Sequence, residues 1–217
     1  MRIDTRRPGW LDAVIFDCDG VLVDSEPITT RAIRDNLAAR GVAWSVADIE
    51  RNFLGGTLAG IGEAAVRAGA RLEPDWLDRT YEELFAVLER EVEAMPRADT
   101  LLEWCGREGI AVAVGSNGPV RKMEVTLRRT GLERYFQGRV VSRENVARPK
   151  PAPDVYLEAL ARTGAIADRA VVVEDSATGA RAAAAAGIAC VMIGVGDFDG
   201  PSVTCLADLP QVLVAMR

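Results

Sequence analysis

Two pairs of acidic residues follow short apolar runs of this sequence. In an open parallel sheet, ligands bind beyond the carboxyl ends of the strands, so we expect both pairs to lie at one edge of a sheet. Converging carboxylates repel one another, and a hard divalent cation offsets that repulsion. The sequence therefore predicts a Mg²⁺ site. Its candidate ligands are Asp17, Asp19, Glu174 and Asp175.

The first pair has the arrangement expected of a nucleophile and a proton carrier. Asp17 ends its apolar run, where its carboxylate can attack phosphorus once a metal ion reduces the repulsion between two anions. Asp19 can first donate a proton to the leaving-group oxygen and then accept one from the hydrolytic water. Because the chain contains no histidine, carboxylates must carry the acid–base chemistry. Asp17 and Asp19 are therefore the predicted catalytic residues.

Three further residues suit a phosphoryl group. Ser116 and Asn117 follow another apolar run and precede a helix, whose unpaired N–H groups and dipole favour an anion. Lys150 supplies a compact positive charge. The chain has 26 basic residues, of which only Lys122 and Lys150 are lysines, so a lysine here indicates a site that uses a point charge. Singly, such residues are more typical of helix caps and solvated surface, and their joint placement carries the prediction.

Short runs rich in β-branched residues predict the strands that position these groups. They occupy residues 13–16, 110–114, 170–173 and 188–193, with a weaker run at 139–141. Continuous apolar runs are typical of strands buried on both faces of a parallel sheet, with helices as crossovers. The predicted fold class is α/β, with an open parallel sheet as its core.

The segment between the first two strong runs is too long for a simple crossover. It spans about ninety residues, whereas a βαβ unit needs about thirty in all. It has no comparable strand pattern, and glycine and proline divide it into helices. We expect an all-helical cap domain at 26–95, inserted into a catalytic core formed by 1–25 and 96–217. The cap helices are predicted at 28–40, 46–54, 58–68 and 75–94.

Helix-start signals support these boundaries. Ser45, followed three residues later by Asp48, predicts a capping box at the start of the second cap helix. Pro119 suits a first helical position, and Gly131 suits the stop of the same helix. Ser176 precedes an alanine-rich segment and predicts its N-cap.

Composition excludes several kinds of partner. A net charge of −6 and a sequence pI near 4.9 disfavour a surface for nucleic acid or anionic membrane. No apolar stretch reaches membrane-spanning length, and the first apolar run is too short for a signal peptide. The four cysteines have no CxxC spacing. We therefore expect a cytoplasmic protein, a monomer or weak homodimer, that acts on a small molecule and binds neither nucleic acid nor membrane.

The motifs resemble those of the haloacid dehalogenase superfamily of phosphohydrolases, whose four signatures occur here in order. The first matches residues 17–25, the second matches 116–118, and the third is Lys150 within 150–154. The fourth is the sequence at 174–176, followed by Gly179. The resemblance implies a Rossmann-like core with a helical cap inserted after the first signature.

The resemblance also implies roles for individual residues. It implies a phosphoaspartyl intermediate on Asp17. It further implies Mg²⁺ held by Asp17, the main-chain carbonyl of Asp19 and Asp175, with Glu174 as an additional ligand. Dehalogenases of this superfamily lack an acid at the position of Asp19, so this residue favours phosphoryl transfer.

Other branches of the superfamily match less well. The phosphonate-cleaving branch uses a cap lysine, and the predicted cap contains none. β-Phosphoglucomutases carry a cap histidine and a cap arginine, whereas this chain has no histidine and Leu58 occupies the arginine's place. Residues 115–119 are similar to those of 6-phosphogluconate phosphatases.

These observations predict a Mg²⁺-dependent phosphatase that acts on a small phosphorylated metabolite, such as a sugar phosphate. A β-phosphoglucomutase-like mutase and an inactive binding module on the same fold are the alternatives. Substrate specificity is assigned to one loop of the cap. Its residues are Leu54, Gly55, Gly56 and Thr57.

Overall fold

The chain divides into two units of different architecture. A computed structural model describes residues 5–53, 57–194 and 199–216. One unit, here called the sheet unit, comprises Met1–Asp24 and Glu93–Arg217, and the other, the helical unit, comprises Ser25–Val92. Across the described ranges, every helix is too short or too polar to cross a membrane.

In the part of the chain that the structure describes, six parallel strands form the sheet. They are β1 (Ala13–Phe16), β2 (Ala111–Ser116), β3 (Val140–Ser142), β4 (Ala170–Glu174), β5 (Ala189–Ile193) and β6 (Ser202–Val203). Their spatial order is β3-β2-β1-β4-β5-β6, the order of the Rossmann fold. The predicted α/β class is confirmed. The strand β6 was not predicted, because two residues are too few to produce a recognisable apolar run.

The strand β1 lies at the centre of the sheet, between β2 and β4. Ile15 is paired with Ala113 on one side and with Val172 on the other. This register places the carboxyl ends of β1, β2 and β4 next to one another. Ser116 and Glu174 are the last residues of their strands, so β2 extends two residues and β4 one residue beyond the predicted apolar runs.

Helices surround the sheet and supply its crossovers. On one face, small strand residues such as Ala13 and Ala113 pack in one buried cluster with Tyr156 and Ala182. Burying a large apolar side chain contributes about 1.5–3 kcal/mol, so the larger members of this cluster, such as Ile15 and Val172, stabilise the packing of helices against the sheet. The helices of the sheet unit are α5 (Ala98–Arg107), α6 (Val120–Arg129), α7 (Glu133–Phe136), α8 (Asp154–Thr163), α9 (Ala177–Ala185) and α10 (Leu209–Ala215).

The described residues of the helical unit form four helices around an apolar core, in agreement with the predicted all-helical insertion. Leu37, Ile49 and Ile61 are among the buried members of that core. At the start of the second helix, Ser45 N–H donates to Asp48 Oδ2 at 3.0 Å and Asp48 N–H donates to Ser45 Oγ at 3.2 Å, so the predicted capping box is confirmed. The helices are α1 (Glu26–Ala38), α2 (Val46–Phe53), α3 (Leu58–Arg67) and α4 (Trp76–Glu91).

The last predicted cap helix is shorter than expected. It was predicted to continue to residue 94, but α4 ends at Glu91 and Val92 adopts an extended backbone. Ala94 instead forms an antiparallel bridge with Val23. Main-chain pairing over a long sequence separation therefore replaces the final helical turn, which local helix propensity alone could not show.

Candidate active site

Asp17 lies directly beyond β1 and is held against a buried cation. Its main-chain N–H donates to the Val173 carbonyl of β4 at 2.9 Å. Lys150 Nζ donates to Asp17 Oδ1 at 2.5 Å, and both residues are buried. Burial raises the pKa of Asp17 well above its usual value; Lys150 opposes this, while the charges of Glu174 and Asp19 add to it. A further cation nearby would therefore stabilise the anionic form of Asp17.

Glu174 is fully buried, and its two carboxylate oxygens accept five hydrogen bonds. Oε1 accepts from Lys150 Nζ and from the Tyr156 hydroxyl, each at 2.7 Å. Oε2 accepts from the main-chain N–H groups of Asp175 at 3.0 Å and Ser176 at 2.9 Å, and from Ser176 Oγ at 2.9 Å. These contacts make Glu174 the link between Lys150 and the start of α9.

The packing around Glu174 explains the glycine of the fourth motif. A Cβ atom at Gly179 would lie 1.6 Å from Glu174 Oε1, so no larger residue fits there. Burial acts to raise the pKa of Glu174, but Lys150 and the hydroxyl of Tyr156 outweigh it and hold the pKa below its usual value. Glu174 is therefore an anion in this network.

Tyr156 is a site residue that sequence reasoning missed. Its ring is fully buried and its centroid lies 4.4 Å from Lys150 Nζ, within the range of a cation–π contact. Hydrophobic periodicity assigns this position of α8 to the core. The only signal is the type of residue, because a buried tyrosine needs a partner for its hydroxyl, whereas phenylalanine does not.

The second and third motifs meet at the end of β2. Ser116 is buried, and its Oγ accepts from Gly118 N–H at 3.0 Å. Asn117 Oδ1 accepts from Lys150 N–H at 2.9 Å, and Asn117 Nδ2 donates to the Lys150 carbonyl at 3.1 Å. The structure thus brings Ser116, Asn117 and Lys150 together. It uses the amide of Asn117 to hold the main chain of Lys150, so direct phosphate contact by Asn117 stays a prediction.

Asp19 pairs with a second lysine, Lys122, which the motif analysis did not assign to the site. Lys122 Nζ lies 2.8 Å from Asp19 Oδ1, and the two side chains are 15% and 22% exposed. Burial acts to lower the pKa of Lys122, but the charge and hydrogen bond of Asp19 outweigh it and raise the pKa. The signal in the sequence was the rarity of lysine, which applies equally to Lys122 and Lys150.

The groups of the first two motifs also converge around Gly118. A Cβ atom at this position would lie 3.4 Å from Ser116 Oγ, 3.6 Å from Asp19 Oδ2 and 3.8 Å from Lys122 Cδ. The carboxylate of the predicted acid–base residue and the hydroxyl predicted to bind phosphate therefore both lie next to Gly118. This proximity is what phosphoryl transfer with proton transfer to the leaving group requires.

The carboxylates of Asp17 and Asp175 are of the chemical type that binds a hard divalent cation. A Cβ atom at Gly20 would lie 2.0 Å from Asp175 Oδ2, so the Asp175 carboxylate packs directly against the turn that follows β1. Within the described ranges, no group of three or more acidic or cysteine side chains is arranged to hold a metal ion. Carboxylates are ligands typical of Mg²⁺, so Asp17 and Asp175 suit such an ion, and the full ligand set with the main-chain carbonyl of Asp19 stays a prediction.

The structure describes some of the remaining predicted site residues and not others. Glu174, a predicted ligand, already accepts five hydrogen bonds, so a direct metal contact by it stays a prediction. Leu54, Gly55 and Gly56 lie outside the described residues. Thr57 caps α3, with its Oγ1 accepting from the N–H of residue 60 at 3.2 Å. Leu58, which stands where a mutase would carry arginine, is buried in the core of the helical unit.

The family is established by a direct match. The family model of haloacid dehalogenase-like hydrolases matches residues 11–187, most of the chain. The chain therefore belongs to the haloacid dehalogenase-like hydrolases, as the four motifs indicated.

Curated relatives agree with this assignment. The chain is 35% identical over 181 residues to a fructose-1-phosphate phosphatase of Escherichia coli, covering 82% of this chain and 94% of that protein. It is 29% identical over 180 residues to a 6-phosphogluconate phosphatase of the same species, covering 82% and 80%. It is also 32% identical over 195 residues to the chloroplastic protein SUPPRESSOR OF QUENCHING 1 of Arabidopsis thaliana, covering 85% of this chain but only 18% of that protein.

Solved structures show the same fold. A haloacid dehalogenase-like protein of Agrobacterium tumefaciens superposes with a TM-score of 0.80 at 31% identity, covering 95% of this chain and 99% of that one. A family hydrolase of Deinococcus radiodurans, solved with phosphate and sodium, gives 0.76 at 31% identity, covering 93% and 94%. A candidate β-phosphoglucomutase of Thermotoga maritima gives 0.79 at 28% identity, covering 95% and 100%. The prediction that the chain is an enzyme, a phosphoric monoester hydrolase, is confirmed.

Proposed function

We propose that this chain is a Mg²⁺-dependent phosphatase that hydrolyses a small sugar phosphate through a phosphoaspartyl intermediate on Asp17. The observation that carries the proposal is the buried network of Asp17, Lys150 and Glu174, with Asp19 two residues further along the chain and, like Ser116, next to Gly118. The relatives named for fructose 1-phosphate and 6-phosphogluconate support a sugar phosphate as the substrate class.

The first chemical step forms the phosphoenzyme. A carboxylate oxygen of Asp17 attacks phosphorus and forms an O–P bond, while the bond from phosphorus to the sugar oxygen breaks. The protonated carboxyl of Asp19 gives its proton to that oxygen, so the sugar leaves as a neutral alcohol. Lys150 and the hydroxyl of Ser116 bind the phosphoryl oxygens and stabilise the charge that develops on them.

The second step releases phosphate. The carboxylate of Asp19 removes a proton from water as the water oxygen bonds to phosphorus, and the bond between phosphorus and Asp17 breaks. Inorganic phosphate leaves, and both aspartates return to their starting states. Asn117 and Glu174 act by holding Lys150, through its main chain and its Nζ atom respectively.

The proposed Mg²⁺ ligands are Asp17, the main-chain carbonyl of Asp19, and Asp175. When bound, the ion neutralises the repulsion between the substrate phosphate and the Asp17 carboxylate. The raised pKa of buried Asp17 supports the need for such a charge.

The test is hydrolysis of an aryl phosphate by the purified protein, followed by a screen of sugar phosphates with phosphate release as the readout. We expect activity with Mg²⁺ and none with EDTA. Asp17→Asn should lower kcat by about 10⁴-fold or more, because the amide is not a nucleophile. The matched control is Asp99→Asn, at an exposed aspartate of α5, and should retain activity. Hydrolysis that survives Asp17→Asn in EDTA would overturn the proposal.

A product assay separates the phosphatase from the two alternatives. A mutase would convert the sugar phosphate to its isomer, whereas the phosphatase releases inorganic phosphate. The buried position of Leu58 and the absence of histidine disfavour the mutase. An inactive binding module would neither hydrolyse the substrate nor trap beryllium fluoride with Mg²⁺.

The helical unit, the oligomeric state and the cellular location can also be tested. The helical unit is assigned the role of cap, with residues 54–57 selecting the substrate, and exchange of these residues should change the substrate profile more than the rate with aryl phosphate. We also propose a cytoplasmic enzyme that is a monomer or weak homodimer, which cell fractionation and sedimentation at several concentrations would test.

A further inference from the structure

The proposed chemistry leaves one partly buried cation without a role. Lys122 lies in the first turn of α6, and its Nζ atom forms an ion pair with Asp19 Oδ1 at 2.8 Å. Ordering a long lysine side chain costs up to about 2 kcal/mol of conformational entropy, so a mostly buried lysine needs a compensating contact. The contact is with the residue that transfers the proton.

The geometry distinguishes the two oxygens of Asp19. Lys122 pairs with Oδ1, whereas Oδ2 lies on the side of Gly118 and Ser116, within 3.6 Å of the point that a Cβ atom of residue 118 would occupy. The ion pair at Oδ1 restricts the rotation of the carboxyl group about its side-chain bond. Oδ2 is therefore kept next to Gly118, which the hydroxyl of Ser116 also adjoins.

The choice of lysine has a physical reason. Arginine presents a planar fork of donors that pairs with both oxygens of a carboxylate, whereas lysine is a point charge that can pair with one. The chain has 26 basic residues and only two lysines, and both contact the aspartates of the first motif. An arginine at position 122 would be able to engage Oδ1 and Oδ2 together.

We propose that Lys122 is a positioning residue for proton transfer, holding Oδ1 of Asp19 so that Oδ2 delivers the proton to the leaving-group oxygen. This inference rests on the proposed phosphatase function. The two lysines then have different roles: Lys122 acts through Asp19, whereas Lys150 contacts the nucleophile and is assigned to the phosphoryl group.

The test uses the dependence of kcat/KM on the leaving group. A poor leaving group, such as the alkoxide of an alkyl phosphate, needs the proton, whereas a dinitrophenolate leaves without one. Lys122→Met should lower kcat/KM for alkyl phosphates by about 100-fold, yet change it by less than about threefold for dinitrophenyl phosphate. The inhibition constant of inorganic phosphate should change less than about threefold, because Lys122 is not a phosphate ligand.

Three further variants complete the experiment. Arg128→Met removes an exposed cation from the same helix and should leave kcat/KM unchanged for all substrates. Lys122→Arg retains the charge but should not restore alkyl phosphate hydrolysis, because the fork can engage both oxygens of Asp19. Lys122→Gln, which retains a neutral donor, replaces Lys122→Met if the latter fails to fold.

Several results would overturn the inference. Equal loss of kcat/KM for alkyl and dinitrophenyl phosphates would make Lys122 a general electrostatic or structural residue. A parallel rise in the inhibition constant of phosphate would make it a phosphate ligand. Full rescue by Lys122→Arg would show that charge alone matters. If the wild-type protein hydrolyses no aryl phosphate with Mg²⁺, the proposed function itself fails. The wild-type protein is therefore assayed before the variants.

Discussion

The sheet unit and the helical unit bury different kinds of polar side chain. In the described part of the sheet unit, the buried charged residues are Asp17, Lys150 and Glu174, and they form a single network. In the described part of the helical unit, every buried polar side chain is neutral, and ion pairs such as Arg40 with Glu73 reach the surface. The buried polar residues there are Ser25, Thr29, Asn36 and Thr80.

This difference indicates where the chemistry of the chain lies. Removing a charge from water costs several kcal/mol, and apolar residues of similar volume usually stabilise a fold at least as well as a buried ion pair. Folding alone therefore does not explain the network around Lys150. In the helical unit, Asn36 Oδ1 accepts from Trp76 Nε1 at 2.7 Å, which satisfies an indole that packing has already buried.

The largest effect should follow from Lys150→Met. This change leaves the carboxylates of Asp17 and Glu174 buried near each other without their cation, so we expect the free energy of unfolding to fall by about 3–5 kcal/mol. Urea denaturation at pH 7 measures it. The control is Arg148→Met, whose ion pair with Asp154 is largely exposed on the arginine side and should cost no more than about 1 kcal/mol. Equal losses in the two variants would remove the contrast between buried and surface charge.

A smaller loss is expected for Tyr156→Phe. The ring remains beside Lys150, but Glu174 Oε1 loses one of its donors, and a hydrogen bond to a charged group contributes about 1.5–3 kcal/mol. The free energy of unfolding should therefore fall by about 2 kcal/mol. Tyr135→Phe, at a tyrosine whose hydroxyl accepts from exposed Arg134, serves as the comparison and should change it by less than about 0.5 kcal/mol. A neutral result at Tyr156 would show that its hydroxyl does not support the network.

In the helical unit, Asn36→Leu tests the neutral network. The substitution leaves Trp76 Nε1 without its acceptor and removes the donor to Glu83, while the side chain stays branched at Cγ. We expect a loss of about 1–2 kcal/mol in the free energy of unfolding, the cost of an unsatisfied buried donor. A loss as large as that of Lys150→Met would mean that the two units depend equally on their buried polar groups.

The smallest effect concerns a surface carboxylate of the helical unit. Hydrogen bonds from Ser45 lower the pKa of Asp48 below its usual value of 3.8. Its contribution to stability is therefore present above pH 3.8 and is lost as the pH falls through the lower folded-state pKa. Stability measured from neutral to acidic pH should show this loss in the wild type and not in Asp48→Asn. Ser45→Ala should weaken the same pH dependence, and an unchanged profile would contradict the assignment.

Local sequence patterns predicted much of this structure. The apolar runs located five of the strands, and the punctuation by glycine, proline and capping residues located the four helices of the helical unit. The end of α4 was predicted too late, because the pairing of Ala94 with Val23 depends on residues far apart in the sequence. The predicted roles of Asn117 and Glu174 omitted their contacts with Lys150, because no local sequence pattern encodes contacts between distant residues.

The sequence by itself determined the fold class, the acids that follow β1 and β4, and the importance of a rare lysine, because these depend on residue type and on position along the chain. Only the tertiary structure decided which partners those residues have. Lys122 is 103 positions from Asp19, as their residue numbers show, and meets it because β1 and β2 are neighbours in the sheet. Side-chain pairing of this kind depends on strand order and helix placement. For the same reason, the sequence did not show that Tyr156, on an apolar helix face, contacts Glu174 and Lys150.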